Sequence, residues 1–357
     1  MLTTTEMVAT RHYTLTCPAC GHQALDDGLI LECPQEHAPA LLRTQYRAEK
    51  FRPRTDDDGI FRYQDLLPVI RTPRDTGRTV VYRSQALARR LGLRNLWIAF
   101  SGYWPERGAR LETATFKELE AHTVLARLPR RPMVLTIPSS GNTGAAFAWA
   151  CSQVQVPCLI IVPGGAMARF RFRDRLSPCV TLVVIPDGDY PDAIDLAGKV
   201  SASPPFQIEG GVKNVGRRDG LGTVLLAAYE EMQRLPDFYV QAAGSGTGSI
   251  AVHEAATRLR GLAGEPATPR LLLCQNEPFT PIYDAWRSGR RTPPGRPAAR
   301  YRPAIRQVVA DELTNWAPPY SITGGVYDVL TESGGDVLAV RNDAVRAAGT
   351  AFLQQEG

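Results

Sequence analysis

Short apolar runs alternate with longer amphipathic stretches along most of the chain. Runs of this length are typical of strands that are buried on both faces of a sheet. Helical stretches lie between many of them, so the pattern predicts an α/β fold with mainly parallel sheets covered by helices, and there are enough units for two such sheets. The runs are RTVVY (78–82), NLWIAF (95–100), MVLTI (133–137), CLIIV (158–162), VTLVVI (180–185), FYVQAA (238–243) and RLLLC (270–274).

A cysteine-rich head precedes this pattern, and residues 51–77, rich in Arg, Asp and Pro, predict an extended connector after it. Cys17 and Cys20 form a C-x2-C knuckle, and Cys33 with His37 follows thirteen residues later. Such pairs provide the four ligands of a tetrahedral zinc site, although the C-x3-H spacing of the second pair is not specific and His22 competes as fourth ligand. The head is either a structural zinc site or a metal-free remnant of one.

Length, charge and cysteine usage exclude several function classes. The 357 residues suffice for about two domains and a small extra module. A net charge of +5 over this length is too small to predict nucleic-acid binding. No run of about 18 apolar residues is present, so we expect no membrane span. The N-terminus lacks the apolar segment of a secretory signal, so we expect a cytoplasmic location and no disulfide framework among the seven cysteines.

Lysine is rare in this chain. The 41 basic residues include only four lysines: Lys50, Lys117, Lys199 and Lys213. Arginine stays protonated and cannot serve as an amine nucleophile. Any chemistry that needs a lysine amine therefore has four candidates.

The segment TATFKELEA (113–121) holds the first candidate motif. Thr115 and Glu118 have the spacing of a capping box, which predicts a helix that begins at Thr115 with Lys117 in its first turn. The positive end of a helix disfavours an ammonium group, so the pKa of Lys117 is expected to be lowered and its amine to be available for attack on an aldehyde. The alternative is an ordinary surface lysine.

The segment SSGNTG (139–144) holds the second motif, between a predicted strand and a predicted helix. A glycine-bearing turn at a helix N-terminus presents free N–H groups that suit a carboxylate. The amide of Asn142 can donate a hydrogen bond to a phenolate-like oxygen. The alternative is a plain turn between strand and helix.

The third motif also follows a predicted strand and opens a predicted helix. Its glycines let the backbone close around a phosphate, and its two hydroxyls add hydrogen bonds. It matches neither the dinucleotide fingerprint nor a nucleotide P-loop. The residues are Gly244, Ser245, Gly246, Thr247 and Gly248.

The three motifs, in this order, resemble the fold-type II pyridoxal-phosphate enzymes, the group of tryptophan synthase β, threonine synthase and cysteine synthase. The resemblance implies two Rossmann-like open-sheet domains with the small knuckle in front. It also implies pyridoxal phosphate as cofactor, an internal aldimine at Lys117, Asn142 at the ring oxygen, and the cofactor phosphate on Gly244–Gly248. The implied domains are a head at 1–50, a large cofactor domain at 51–130 plus 206–357, and a small mobile domain at 131–205.

Several long stretches resemble the cysteate synthase family, a threonine-synthase-like branch, and TFKELEA is the most telling. The others are SGYWPERGARLETA (101–114), EGGVKNVGRRDGLGT (209–223), LPDFYVQAAGSGTG (235–248), PPYSITGGVYDVLTESGG (318–335), and YTLTCPACG with ALLRTQY in the head. The resemblance implies a cytoplasmic lyase or transferase of amino-acid biosynthesis. It would replace the phosphate of O-phospho-L-serine by sulfite through an aminoacrylate, with Lys117 as base, and give L-cysteate.

The resemblance also implies which residues hold the substrate. The substrate carboxylate is expected on the turn at 139–143. One cationic pocket is expected to bind the substrate phosphate and then sulfite. Arginine can bind such anions through two parallel hydrogen bonds, and lysine through a compact positive charge. The alternative for the Arg pair is surface salt bridges. The predicted substrate-binding residues are Thr115, Ser139, Ser140, Gly141, Thr143, Lys213, Asn214, Arg217 and Arg218.

Other functions share the same motifs. Threonine synthase or another O-phosphoserine β-replacement enzyme, for example one that uses sulfide, shares every cofactor motif, and a degenerate relative could bind a small ligand as a sensor. The predicted partners are small molecules and a second copy in a homodimer, with neither nucleic acid nor membrane. Family members carry a further turn and helix with a Ser or Thr at the pyridine nitrogen, and we identify no such residue in this sequence.

Overall fold

The computed structural model describes residues 11–293, 298–315 and 317–357. The described residues form two compact units, one drawn from the ranges 1–36, 42–80 and 101–224, the other from the ranges 37–41, 81–100 and 225–357. These limits differ from the domain bounds that the resemblance implies, and those bounds stay predictions. No helix in the described ranges is long and apolar enough to span a membrane. The cytoplasmic location and the homodimer stay predictions as well.

The elements follow the predicted alternation of strands and helices. The strands are β1 (Tyr13–Thr16), β2 (Gln23–Ala24), β3 (Arg43–Tyr46), β4 (Val80–Arg83), β5 (Trp97–Phe100), β6 (Tyr103–Trp104), β7 (Ala109–Arg110), β8 (Val134–Pro138), β9 (Cys158–Pro163), β10 (Val180–Ile185), β11 (Phe206–Ile208), β12 (Phe238–Ala242), β13 (Arg270–Asn276) and β14 (Asp336–Val340). The helices are α1 (Ala86–Arg90), α2 (Lys117–Arg127), α3 (Asn142–Val154), α4 (Tyr190–Ser201), α5 (Val215–Met232), α6 (Thr247–Ala263), α7 (Pro281–Arg287), α8 (Ala298–Ile305), α9 (Val326–Glu332) and α10 (Asn342–Glu356).

The first unit is built on a four-stranded parallel sheet in the order β10-β9-β8-β11. Successive residues of a strand point to opposite faces of the sheet. Ile160 packs into the cluster formed with Leu125 and Phe147, from α2 and α3. Its neighbour Ile161 packs with Ala193 of α4. Helices therefore cover both faces, as the continuous apolar runs predict.

The head of the first unit is a small antiparallel sheet in the order β2-β1-β3. Tyr13 and Leu15 alternate with half-buried threonines along β1 and are themselves fully buried. The head is therefore anchored by one apolar face of a short strand.

The segment after the head is only partly the extended connector that its composition predicts. Residues 60–66 form a 3-10 helix in which Ile60 and Phe61 are fully buried. The prediction is wrong at this point because these apolar side chains pack into the unit, whatever the polar composition around them.

The second unit is built on a three-stranded parallel sheet in the order β12-β13-β14. Leu271 and Leu273 of β13 and Val337 of β14 are fully buried. Strands β4 and β5 form a separate pair. The prediction of an α/β fold with two parallel sheets is confirmed.

Candidate active site

Helix α2 begins at Lys117, two residues later than the capping box predicts. The carboxylate of Glu118 accepts hydrogen bonds from the backbone N–H and the hydroxyl of Thr113, at 2.8 and 2.9 Å, instead of closing a box with Thr115. Thr115 Oγ1 accepts the N–H of Lys117 at 3.2 Å. The predicted capping box is therefore wrong, while Lys117 does lie in the first turn of the helix.

The amine of Lys117 lies in a largely buried, charged environment. Its side chain is 19% exposed, and its Nζ lies 3.3 Å from Glu120 Oε2 and 5.0 Å from the centre of the Phe116 ring. Burial lowers the pKa of Lys117, which outweighs the raising effect of Glu120, and the guanidinium of Arg217 lowers it further. The neutral amine is therefore more available than on a surface lysine.

Glu120 connects this lysine to two other helices. Its side chain is fully buried, and its Oε1 accepts hydrogen bonds from Arg217 at 2.6 Å and from the hydroxyl of Thr143 at 3.2 Å. Arg217 also donates to the buried carboxylate of Glu209, with its Nε 3.1 Å from Oε1. The sequence prediction missed both glutamates, although Glu120 lies in the segment TFKELEA that carried the resemblance.

The turn at 139–144 is held by the side chain that opens it. Ser139 is buried, and its Oγ accepts the N–H groups of Gly141 and Gly144 at 3.0 and 2.7 Å. Gly141 has φ +140°, and a Cβ there would lie 2.4 Å from Cδ of Arg169. This backbone conformation requires glycine, and a side chain there would also have to displace Arg169.

The first residues of α3 keep donors available for a ligand. The first N–H groups of a helix have no intrahelical acceptor. Within the described part of the chain, the N–H groups of Asn142 and Thr143 and the side-chain amide of Asn142 donate to no protein group. Ser139 has taken the neighbouring N–H groups of this turn. The turn can therefore accept a carboxylate, and the amide of Asn142 can meet an oxygen.

The other predicted anion ligands are engaged with protein groups. The buried guanidinium of Arg218 donates to the carbonyls of Val212 and Leu42, and Lys213 pairs with the exposed Glu32. Asn214 donates to the carbonyl of Glu209 at 2.7 Å. The substrate-binding roles of these residues, like that of the paired Arg217, stay predictions.

The glycine loop of the second unit lies at the N-terminus of α6, where a phosphate is predicted. Gly246 has φ +79°, and a Cβ there would lie 2.5 Å from Cγ2 of Val326. A Cβ on Gly248 would lie 2.7 Å from Nε2 of Gln241. The hydroxyls of Ser245 and Thr247 lie 2.9 Å apart. A tight glycine loop at the start of a helix of 17 residues is suited to binding a phosphate.

Each unit, taken by itself, carries groups that fit a part of pyridoxal phosphate. The first unit provides an amine of lowered pKa at Lys117 for the aldehyde and an amide at Asn142 for the ring oxygen. The second unit provides a loop at 244–248 in which added Cβ atoms would fill the space around the backbone. Each group is of the chemical kind that the cofactor's aldehyde, phenol oxygen and phosphate need.

The cysteines of the head lie close together, as the zinc prediction requires. Sulfur atoms of Cys17, Cys20 and Cys33 lie within 4.8 Å of one another, with 3.7 Å between Cys20 and Cys33. Burial raises the pKa of the Cys17 thiol, but hydrogen bonds from the backbone of Ala19 and Cys20 outweigh this and lower it to about 7. Three thiols in this arrangement can hold a soft divalent cation.

Comparison with known families agrees with the chemistry of these residues. A family model described as "Pyridoxal-phosphate dependent enzyme" matches residues 73–357. The chain is 44% identical over 352 residues to the cysteate synthase of Methanospirillum hungatei. This aligned region covers 97% of this chain and 81% of that protein. It is 46% identical over 348 residues to the cysteate synthase of Methanoculleus marisnigri, covering 96% of this chain and 80% of that protein.

Solved structures show the same fold at low sequence identity. Maize serine racemase matches with a TM-score of 0.59 and 18% identity, covering 78% of this chain and 77% of that chain. A pyridoxal 5'-phosphate-dependent aspartate racemase matches with a TM-score of 0.57 and 18% identity, covering 78% of each chain. The predicted fold type is confirmed.

Proposed function

Because this chain belongs to the pyridoxal-phosphate-dependent enzymes and, within them, to the cysteate synthases, we propose that it replaces the phosphate of O-phospho-L-serine by sulfite. The products are L-cysteate and inorganic phosphate. The observation that carries this proposal is the 44% identity to a protein named cysteate synthase over 97% of the chain. The buried amine of Lys117 supports it, since it supplies the base that such an exchange needs.

The reaction removes one proton from Cα and later returns one. When bound, pyridoxal phosphate supplies an electron sink that makes this proton acidic. Lys117 is the base that takes the proton and gives it back. The C–O bond to phosphate breaks and a C–S bond to sulfite forms at Cβ, so the exchange involves no net oxidation.

The turn of the first unit orients the substrate in this proposal. The N–H groups of Asn142 and Thr143 bind its carboxylate, and the side-chain amide of Asn142 faces the cofactor's ring oxygen. Ser139 supports the proposal indirectly, because it holds the turn open at Gly141 and Gly144. In the second unit, Gly244–Gly248 would bind the cofactor phosphate.

A panel of donors and nucleophiles tests the proposed reaction. The protein loaded with pyridoxal phosphate is given O-phosphoserine with sulfite, with sulfide or with no nucleophile, and in parallel O-phosphohomoserine. We expect cysteate and phosphate in equal amounts with sulfite, and little product from O-phosphohomoserine. Threonine formed from O-phosphohomoserine, or cysteine formed from sulfide at a higher kcat/KM than cysteate, would show one of the related reactions instead.

We further propose that the head binds one zinc ion through Cys17, Cys20 and Cys33, with His37 as fourth ligand. The proximity of the three thiols supports this, and zinc sites of this type stabilise small domains. We expect one zinc per chain by elemental analysis, and loss of zinc with a lower Tm in Cys20→Ser. Cys274→Ser, which changes a half-buried thiol of β13, is the control and should keep the metal. If the protein contains no metal although zinc was supplied throughout expression and purification, the proposal is wrong.

A further inference from the structure

We propose that Glu120 is a positioning residue for Lys117, which orients the amine and favours return of a proton to it when Lys117 acts as base. This inference rests on the proposed function in one respect, namely that Lys117 binds the cofactor. It concerns a residue that the motifs did not single out.

The two oxygens of Glu120 face different partners. Oε2 lies 3.3 Å from Lys117 Nζ, while Oε1 accepts from Arg217 at 2.6 Å and from Thr143 at 3.2 Å. One carboxylate thus joins the lysine at the start of α2 to the turn at the start of α3 and to the first turns of α5. Movement of the amine away from this position breaks a hydrogen bond to a fully buried carboxylate, which is costly.

The charges around the amine explain why a proton returns to it. Among the described residues, the charged groups that act on Lys117 are Glu120, Glu209 and Arg217, and the half-buried phenol of Tyr190 lies near the same three. With Lys117 protonated, two cations balance two carboxylates. With Lys117 neutral, the cluster carries one uncompensated negative charge. Such a charge in a buried place attracts a proton, and Glu120 is the carboxylate nearest to the amine.

Burial and Arg217 act in the opposite direction, since both lower the pKa of Lys117. The pKa of Lys117 is therefore set by effects of opposite sign. A single substitution of Glu120 removes the largest effect that raises it. Glu120→Gln keeps the shape and the hydrogen-bonding capacity of the side chain but not its charge. It removes the group that raises the pKa of Lys117, so this pKa falls further.

The test follows the attachment of pyridoxal phosphate to the cofactor-free protein as a function of pH. The visible absorbance band of the bound cofactor grows at a rate that depends on the neutral amine, so its acid limb reports the pKa of Lys117. In Glu120→Gln we expect this limb about 1 pH unit lower than in wild type, or further. A purely structural role for Glu120 would not move the limb in a protein that still unfolds cooperatively.

Glu118→Gln is the matched control. Glu118 is a buried carboxylate of the same helix, and it is bonded to Thr113 rather than to the amine. The acid limb of the attachment rate in Glu118→Gln should coincide with that of wild type. Equal movement of both limbs contradicts a specific role for Glu120.

The outcomes separate this inference from the proposed function. A folded Glu120→Gln protein with the acid limb of wild type overturns the inference and leaves the proposed function standing. Wild-type protein that attaches no cofactor overturns both. If Glu120→Gln fails to fold, Glu120→Asp replaces it. The shorter side chain withdraws the charge from the amine, so the limb should move down part of the way, and an unmoved limb overturns the inference.

Discussion

Arg217 has protein partners that its predicted role as a substrate ligand does not include. The resemblance implies an anion ligand at this position, and the structure places the guanidinium between two buried carboxylates, Glu120 and Glu209. Burial lowers the pKa of Arg217, but these two carboxylates outweigh it and raise this pKa above its usual range. The guanidinium therefore neutralises the two carboxylates that lie near Lys117.

Replacement of Arg217 by methionine should destabilise the protein strongly. The variant keeps an unbranched side chain but leaves Glu209 without its guanidinium partner and Glu120 with only Lys117 and Thr143. Breaking a buried ion pair in this way costs about 3 to 5 kcal/mol. Urea unfolding measures the loss. Arg341→Met is the control, because Arg341 is largely exposed and pairs with the exposed Asp343, so its unfolding curve should coincide with that of wild type.

A small loss in Arg217→Met would show that the ion pairs contribute little. The two glutamates would then be held by the surrounding packing alone. The position of the Glu120 carboxylate would then not depend on its hydrogen bond from Arg217. This would weaken the case for an electrostatic cluster around Lys117.

The sequence identifies Lys117 because lysine is rare and because TFKELEA carries a resemblance. It does not identify the partners of Lys117. Glu120 meets Arg217 across 97 positions of the chain, and Thr143 across 23. Pairings of this kind depend on how three helices pack, which no local spacing expresses.

At the scale of elements, the glycine loop before α6 depends most strictly on its residue types. Gly246 has the left-handed φ that other residues adopt at a cost of about 1 to 2 kcal/mol. The same α6 contains Gly261, where an added Cβ would meet nothing within 4 Å. The loop before α6 therefore has a glycine that alanine cannot replace without strain, and α6 itself has one that alanine can replace.

Gly246→Ala should weaken pyridoxal phosphate binding about tenfold. The loop of the free variant would relieve the strain by leaving the conformation that surrounds the phosphate, and would have to recover it on binding at a cost of about 1 to 2 kcal/mol. Fluorescence titration of the cofactor-free protein measures it. Gly261→Ala should leave the dissociation constant unchanged and raise the free energy of unfolding by up to about 1 kcal/mol, because alanine favours a helix interior. Unchanged cofactor binding in Gly246→Ala would show that the loop does not hold the cofactor.

Elements were predictable where apolar runs are continuous. The runs at 158–162 and 180–185 become β9 and β10 within one residue at each end. The failures occur where side chains override local signals. Glu118 turns to Thr113 instead of closing a capping box, and Phe61 is buried within a polar segment. Tertiary contacts decide both, and they are not visible in the spacing of residues.

At the scale of the whole molecule, a buried ion pair fixes the head to the body of the first unit. Asp26 accepts two hydrogen bonds from Arg127, at 2.7 and 2.8 Å, and one from Tyr13 at 2.5 Å. Burial raises the pKa of Asp26, but the guanidinium of Arg127 outweighs it and holds this pKa below its ordinary value. Arg127 also donates to Asn214, just before α5.

Asp26→Asn should lower the free energy of unfolding at neutral pH by about 3 to 5 kcal/mol, since it leaves Arg127 buried without its counter-ion. The folded pKa of Asp26 lies below the unfolded value of about 3.9, so the stabilisation is present above this pH and is lost as pH falls through the folded pKa. The difference between wild type and variant should therefore narrow below about pH 4.

Unfolding curves recorded between neutral and acid pH test this sign. Asp195→Asn is the control, because Asp195 pairs with Lys199 on the exposed surface of α4, and its curves should follow those of wild type. A difference between wild type and Asp26→Asn that widens on acidification would contradict the assignment.

Lys117 is the residue proposed to hold the cofactor, and because the chain has only four lysines this assignment can be measured directly. The protein loaded with pyridoxal phosphate is reduced with borohydride and its peptides are mapped by mass spectrometry. We expect the reduced pyridoxyl group on the peptide that contains Lys117, and none on the peptides that contain Lys50, Lys199 or Lys213. Label on one of those three lysines, or cysteate formed by Lys117→Ala at the wild-type rate, would contradict it.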